Sequence, residues 1–237
     1  MAHRGYAAVA PENTLPALAA AARTGADFVE FDVRTTADGV PVVIHDRTVD
    51  RTTDGTGRVA DLTLDRVLER DAGSWFSPAY AGVRVPQLSQ VLDLLLPADT
   101  QLLLEIKPPA TIDQVKAVVA QVAERDLDDR TVVQSFDPQI LHLTAEVAPE
   151  LRRGLLRNGF DADPVRVAHD VGAAFYNPSV DDVLGDPDTV VRLREAGVAV
   201  MPWTANDPGV WPALLETGVA GIITDRAGEL DGWRQAG

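Results

Sequence analysis

Residues 28–34 read Phe28-Val29-Glu30-Phe31-Asp32-Val33-Arg34, with apolar and charged side chains alternating from Val29 onward. Successive side chains of a β-strand point to opposite faces, so Val29, Phe31 and Val33 form an apolar face suited to packing on helices. Glu30 and Asp32 then share the other face. The run Leu102-Leu103-Leu104-Glu105-Ile106-Lys107 divides the same way, with Leu102, Leu104 and Ile106 on one side and Leu103, Glu105 and Lys107 on the other. Two strands that turn apolar residues outward and end in acids on the inward face suit the interior of a closed barrel.

Outward from this pair, short apolar runs alternate with amphipathic stretches along the whole chain. The strand candidates are residues 1–5, 27–34, 101–107, 131–136, 152–156, 173–177, 198–203 and 221–225. Helical candidates follow at 14–24, 88–96, 111–126, 137–147, 163–171, 186–196, 207–217 and 227–235. Such alternation is the signature of βαβ units and a parallel sheet. Eight pairs predict an α/β chain of (β/α)₈ TIM-barrel type, and the 237 residues match the ~250 that such a barrel takes. A doubly wound open sheet is the competing architecture, but no Gly-rich phosphate loop follows the first strand candidate. One domain spanning 1–237 is therefore expected, with an insertion at 46–87.

Two features break the alternation. Asp38-Gly39 lies between apolar runs, which signals a type I′ hairpin turn. With both residues in the turn, Ala37 pairs with Val40 and Asp32 falls opposite His45. The segment from Asp46 to Gln87 is too long for an ordinary connection and contains a short helical piece near 63–71 and the pair Trp75-Phe76. Hairpin and insertion both follow the second strand, so they are expected on the C-terminal face, where barrel enzymes keep their chemistry.

The 36 acids outnumber 21 bases for a net charge of −15, a field that repels polyanions and argues against nucleic acid as a partner. A small anionic substrate is compatible if local cations or a metal offset that field. The absence of cysteine removes disulfides, thiolate metal sites and Cys nucleophiles. No apolar run approaches the ~20 residues of a membrane span, and residues 1–5 carry no signal-peptide core. Integral membrane association is not expected, the compartment reads as cytoplasmic, and oligomeric state has no sequence signal.

Glu30, Asp32 and Glu105 converge at the ends of neighbouring strands. Three unneutralised acids in an apolar interior are costly, so they must be protonated, ion-paired or metal-bound. Lys107 and Arg34 offer ion pairs. The all-oxygen set suits a hard divalent cation, Mg²⁺ or Ca²⁺, better than zinc. His3 ends the first strand and His45 the hairpin, where two imidazoles across a metal site suit general acid and general base. Either histidine alone reads more readily as a satisfied polar contact, and it is their coincidence at one barrel end that points to catalysis. Arg4 is suited to clamp a phosphoryl group, or else to pair with Glu12 or an inward acid. Asn13 or Thr14 is expected to cap the first helix. Trp203 ends the seventh strand and either walls a pocket or packs in the core. His142 and His169 fall in helices and read as surface or packing residues.

In order along the chain, His3-Arg4-Gly5, Pro11-Glu12-Asn13-Thr14, Glu30-x-Asp32, His45-Asp46, Arg51-Thr52-Thr53, Asp71-Ala72-Gly73-Ser74-Trp75-Phe76, Leu104-Glu105-Ile106-Lys107, Trp203-Thr204-Ala205-Asn206 and Gly221-Ile222-Ile223-Thr224-Asp225 resemble the glycerophosphodiester phosphodiesterase family. The resemblance spans essentially the whole chain. It implies a barrel enzyme hydrolysing glycerophosphodiesters to glycerol 3-phosphate and an alcohol. It also implies Glu30, Asp32 and Glu105 as metal ligands, His3 and His45 as the acid/base pair, Arg4 and Lys107 as phosphate-binding groups and Trp203 as a substrate-contacting aromatic. The first strand begins only two residues before His3, where relatives carry a longer lead-in, so either residues are missing before it or this strand is frayed. A phospholipase D-like enzyme acting on lysophospholipids, and a silent phosphodiester-binding barrel, are the competing functions. The first calls for a long apolar lip and the second for a missing ligand or histidine.

Overall fold

A computed structural model describes residues 1–236. The expected strand at 27–34 is β1, Phe28–Thr35, which pairs antiparallel with β2, Pro41–Val43, and parallel with β3, Gln101–Ile106. The sheet continues through β4 Thr131–Ser135, β5 Arg152–Leu156, β6 Phe175–Asn177 and β7 Ala199–Val200, all parallel. Ala2 closes the ring by bridging Val29 on one side and Thr224 on the other. Residues 220–223 in turn bond to the β7 region, through Ala220 N to Val200 O and Ile223 N to Pro202 O. Eight staves therefore form a TIM barrel, with the first and last each reduced to a single bridging residue.

The first stave is short for a steric reason. After His3 the backbone leaves the extended region, with φ of 53° at Arg4 and 80° at Gly5. A Cβ at Gly5 would sit 2.6 Å from the carbonyl carbon of Ala17, so only glycine fits this approach to the first helix, α1 (Leu15–Ala21).

The strand faces divide as their alternation predicts. Leu103, Val132, Met201 and Ile223 pack with Met1 inside the barrel. Val29, Phe31, Val33, Leu102, Leu104 and Ile106 pack outside, against α1, α3 (Leu88–Leu95) and α4 (Ile112–Ala123). α3 buries Leu88, Val91, Leu92 and Leu95, a spacing of three and four that keeps one stripe on the sheet. Gln87 with Gln90, and Thr111 with Gln114, close capping boxes that satisfy the first amides of these two helices. Truncating such a leucine to alanine typically costs ~2–5 kcal/mol. A second outer cluster, including Leu155, Tyr176, Val190 and Trp211, covers the β5–β7 side under α6 (Pro164–Asp170), α8 (Pro187–Glu195) and α9 (Trp211–Glu216). The remaining expected helices are α5 (Pro138–Val147) and α10 (Ala227–Ala236). An additional one, α7 (Val180–Gly185), starts at a Ser179/Asp182 capping box.

The hairpin differs from its expected register by one residue. Thr35 pairs with Pro41, and Asp32 O accepts from Ile44 N at 2.9 Å, so Ile44, not His45, stands opposite Asp32. Gly39 alone takes a positive φ, 83°, and the loop has three residues in place of the two of a type I′ turn. Thr36 decides this, because its hydroxyl accepts from Val40 N and donates to Asp38, closing the loop one residue earlier.

Residues 46–87 form turns, the short α2 (Leu64–Leu68) and two 3₁₀ turns, over a small core of Val49, Val59, Val67, Ala72 and Val85 against Val42 and Ile44. The Asp71 carboxylate accepts from the amides of Gly73, Ser74 and Gly82, pinning the loop that carries Trp75 and Phe76. No helix among the described residues is long and apolar enough to cross a membrane.

Candidate active site

The β1–β3 register sets Asp32 directly beside Glu105, with Glu30 two residues below on the same inward face. All three carboxylates are buried, and one oxygen from each lies within 4.8 Å of the others. Burial, reinforced by repulsion from Asp32 and Glu105, pushes the Glu30 carboxyl well above the usual range. Burial and the Asp32 charge likewise push Glu105 up to about 8. Burial would also raise Asp32, but the Lys107 ammonium and the Arg4 guanidinium outweigh it and hold that group far below the ordinary value. The set fits a hard cation, because its donors are all oxygen and its excess negative charge is only partly compensated.

Lys107 supplies part of that compensation, its Nζ lying 2.9 Å from Asp32 Oδ1 and 2.7 Å from Glu105 Oε1. Arg34, the other cation that offered an ion pair, forms none with the three acids. Its Nε donates to His45 O at 2.8 Å and its Nη1 to Pro108 O at 3.3 Å, which ties the hairpin to the β3–α4 loop. Arg4 takes both of the contacts open to it. Its backbone amide donates to Glu30 Oε2 at 2.7 Å, its Nη1 donates to Glu12 Oε1 at 2.9 Å, and its Nε stands 3.5 Å from Asp32 Oδ2. Its left-handed backbone aims that amide at the cluster.

Each histidine at the barrel mouth has an aspartate on Nδ1. His3 Nδ1 lies 2.6 Å from Asp225 Oδ1, and His45 Nδ1 lies 2.6 Å from Asp46 Oδ1. Burial lowers the His45 pKa, against an opposing pull from Asp32. Burial would raise Asp225, but the bonds from His3 and from Asn206 Nδ2 leave it low and therefore ionised. An ionised aspartate on Nδ1 makes that nitrogen the donor and leaves Nε2 free to exchange protons.

Sequence reasoning passed over four positioning groups. Asn13 is not a helix cap: from a left-handed backbone (φ 56°) its Nδ2 donates to Asp32 Oδ2 at 2.7 Å, and its Oδ1 accepts from Asp32 N at 3.1 Å. Thr14 occupies the cap position, but its hydroxyl donates to Pro11 O. Asp46 and Asp225 hold the imidazoles. Arg51 donates to both oxygens of Glu12, at 2.8 and 2.7 Å, and to both of Asp46, at 2.7 and 3.1 Å. One guanidinium thus links the acid on Arg4 to the acid on His45. Adjacency of His45 and Asp46 is a visible signal, whereas nothing local in the sequence couples Arg51 to Glu12. Trp203 is partly buried, its Nε1 donating to Asn177 O at 2.8 Å and its ring set edge-on to Phe136 with centroids 5.4 Å apart. His142 and His169 sit in α5 and α6, as expected.

Residues 3–229 match the model of the glycerophosphoryl diester phosphodiesterase family. The chain belongs to that family. Among its relatives, the glycerophosphodiester phosphodiesterase of Caldanaerobacter subterraneus subsp. tengcongensis is 35% identical over 95% of this chain and 93% of its own. A phosphodiesterase of Oleispira antarctica, solved with its product sn-glycerol-3-phosphate, superimposes with a TM-score of 0.94 at 28% identity, covering 99% of this chain and 95% of that one. The glycerophosphodiester phosphodiesterase of Agrobacterium tumefaciens gives 0.85 at 32% identity, over 98% of this chain and 97% of its own. Membership in this family makes the barrel a phosphoric diester hydrolase with a buried acidic triad able to hold a metal ion.

Proposed function

We propose that this chain hydrolyses glycerophosphodiesters to glycerol 3-phosphate and an alcohol, with Mg²⁺ or Ca²⁺ on Glu30, Asp32 and Glu105. The observation that carries this reading is the pair of aspartate-held imidazoles, His3 and His45, at the mouth above a buried three-carboxylate cluster. A cation held by Glu30, Asp32 and Glu105 would supply positive charge for the phosphoryl oxygens and would lower the pKa of a nearby hydroxyl. One histidine accepts through Nε2 the proton of the attacking water. The other donates a proton to the departing alkoxide. If the neighbouring glycerol hydroxyl attacks first, the cyclic phosphate it forms is opened by water in a second step with the two histidine roles exchanged. Asp46 and Asp225 stabilise whichever imidazolium forms. Arg4 and Lys107 hold the phosphoryl oxygens as negative charge builds on them. Trp203, backed by Phe136, walls the glycerol side, and residues 46–87 cover the mouth as a lid within a single barrel domain.

The test is release of glycerol 3-phosphate from several glycerophosphodiesters, and from a lysophospholipid, after dialysis against chelator and again after adding Mg²⁺ or Ca²⁺. Activity on glycerophosphodiesters that is lost in chelator and restored by either ion supports the reading. Full activity in excess chelator refutes the metal, and a preference for the lysophospholipid refutes the substrate.

A further inference from the structure

Behind the hairpin lies a cavity of about 60 Å³ that holds none of the catalytic histidines or carboxylates. Arg34, Arg47, Arg58 and Gln114 face it over an apolar floor that includes Val33 and Val118. Lys107 also lines it. Four cations and no acid line this cavity, in a chain with 36 acids to 21 bases. Lys107 is taken up by Asp32 and Glu105, which leaves the three arginines as a basic cluster that runs against the composition and attracts anions.

None of the arginines has a close ion pair. Arg34 is bound only by the carbonyls of His45 and Pro108. Arg58 has one remote acid, Asp61 at 3.9 Å, between two well-exposed side chains. The fold also has a device that brings two of the charges together: Thr48 and Arg58 form an antiparallel bridge, and Val59 N donates to Arg47 O at 3.0 Å. The residues either side of the bridge are thereby held at one wall. Planar guanidinium groups are suited to paired hydrogen bonds with oxyanions, and Gln114 adds an amide donor.

We propose that this cavity is a second anion site, taking a small oxyanion of the phosphate or carboxylate class next to the catalytic centre. Such a group comes either from the alcohol portion of the substrate or from a free oxyanion in solution. The first source rests on the phosphodiesterase reading, and the site itself does not.

The experiment uses the full chain, the Arg47→Ala/Arg58→Ala double variant and, without removing an arginine, Gln114→Glu. Calorimetric titration with inorganic sulfate should show one more bound anion in the parent than in either variant. Equal stoichiometry and affinity in all three proteins would overturn the proposal. The kinetic arm compares glycerophosphoserine with glycerophosphoethanolamine, which differ by one carboxylate. If the substrate supplies the anion, the ratio of their kcat/KM values falls about tenfold in the variants while glycerophosphoethanolamine turnover is unchanged. If sulfate binding falls but that ratio stays constant, the ligand is a free oxyanion. A parent that hydrolyses neither these nor the other glycerophosphodiesters refutes the function proposed above, and the sulfate titration then decides the site alone.

Discussion

Replacing Lys107 by methionine keeps the stem and removes the charge that stands between two buried carboxylates. Its Nζ is 2.9 Å from Asp32 and 2.7 Å from Glu105, and all three side chains are under a tenth exposed. At an effective dielectric constant of about 20, each contact with a fully ionised carboxylate is worth about 6 kcal/mol of attraction. Desolvation of the ammonium offsets several kcal/mol of this, and removing one partner of a buried pair typically costs ~3–5 kcal/mol. Glu105, pushed up to about 8, is mostly protonated at neutral pH without a cation, so Asp32 supplies most of the effect. The lower end, about 3 kcal/mol, is therefore expected. For a chain of this size about 1 kcal/mol moves Tm by 2–4 °C, so Lys107→Met should melt about 6–12 °C below the parent in chelator. Millimolar Mg²⁺ should narrow that gap, because a dication held by the same carboxylates replaces the missing charge. Thermal denaturation followed by circular dichroism, with and without Mg²⁺, reads both effects. A variant melting within about 2 °C of the parent in chelator would show that Lys107 does not balance the cluster, and the charge argument for the site would fail.

The two histidines should act as a unit: His3→Ala and His45→Ala each lower kcat by ~10²–10⁴-fold, and the double variant loses little more than the worse single one. A nitrophenyl phosphodiester, whose leaving group needs no proton, should rescue only the variant lacking the general acid, and near-full activity in either single variant on the natural substrate would end the two-histidine mechanism. Arg51→Ala should lower kcat by about tenfold or more with little change in KM, because it frees Asp46 from a fixed orientation on His45. Arg51→Lys should recover only part, since an ammonium cannot reproduce two forked pairs; equal kcat in both variants and the parent would make the network merely structural. Trp75→Ala/Phe76→Ala should change the ranking of headgroup alcohols while leaving the protein folded, and identical kinetics on every substrate would remove residues 46–87 from substrate choice.

Period-two alternation was enough to put Glu30, Asp32, Glu105 and Lys107 on one inward face and Phe31, Leu102 and Leu104 on the other, because strand geometry translates sequence spacing directly into direction. Helix positions followed from apolar spacing for the same reason, except α7, which was not separated from the loop before α8. The ordered motifs carried the family. Tertiary structure alone decided which polar groups meet. Asn13 and Arg4 reach Asp32 only because φ turns positive at both, and Arg51 joins Glu12 to Asp46 across 39 residues of sequence to one acid and five to the other. The hairpin slipped by one residue because a single hydroxyl, Thr36, outbids the Asp38-Gly39 turn signal. Local pattern fixes the face a side chain points to, since backbone geometry repeats. A hydrogen-bond partner is fixed by closure of the ring at Ala2 and by the paths of loops, which repeat nothing.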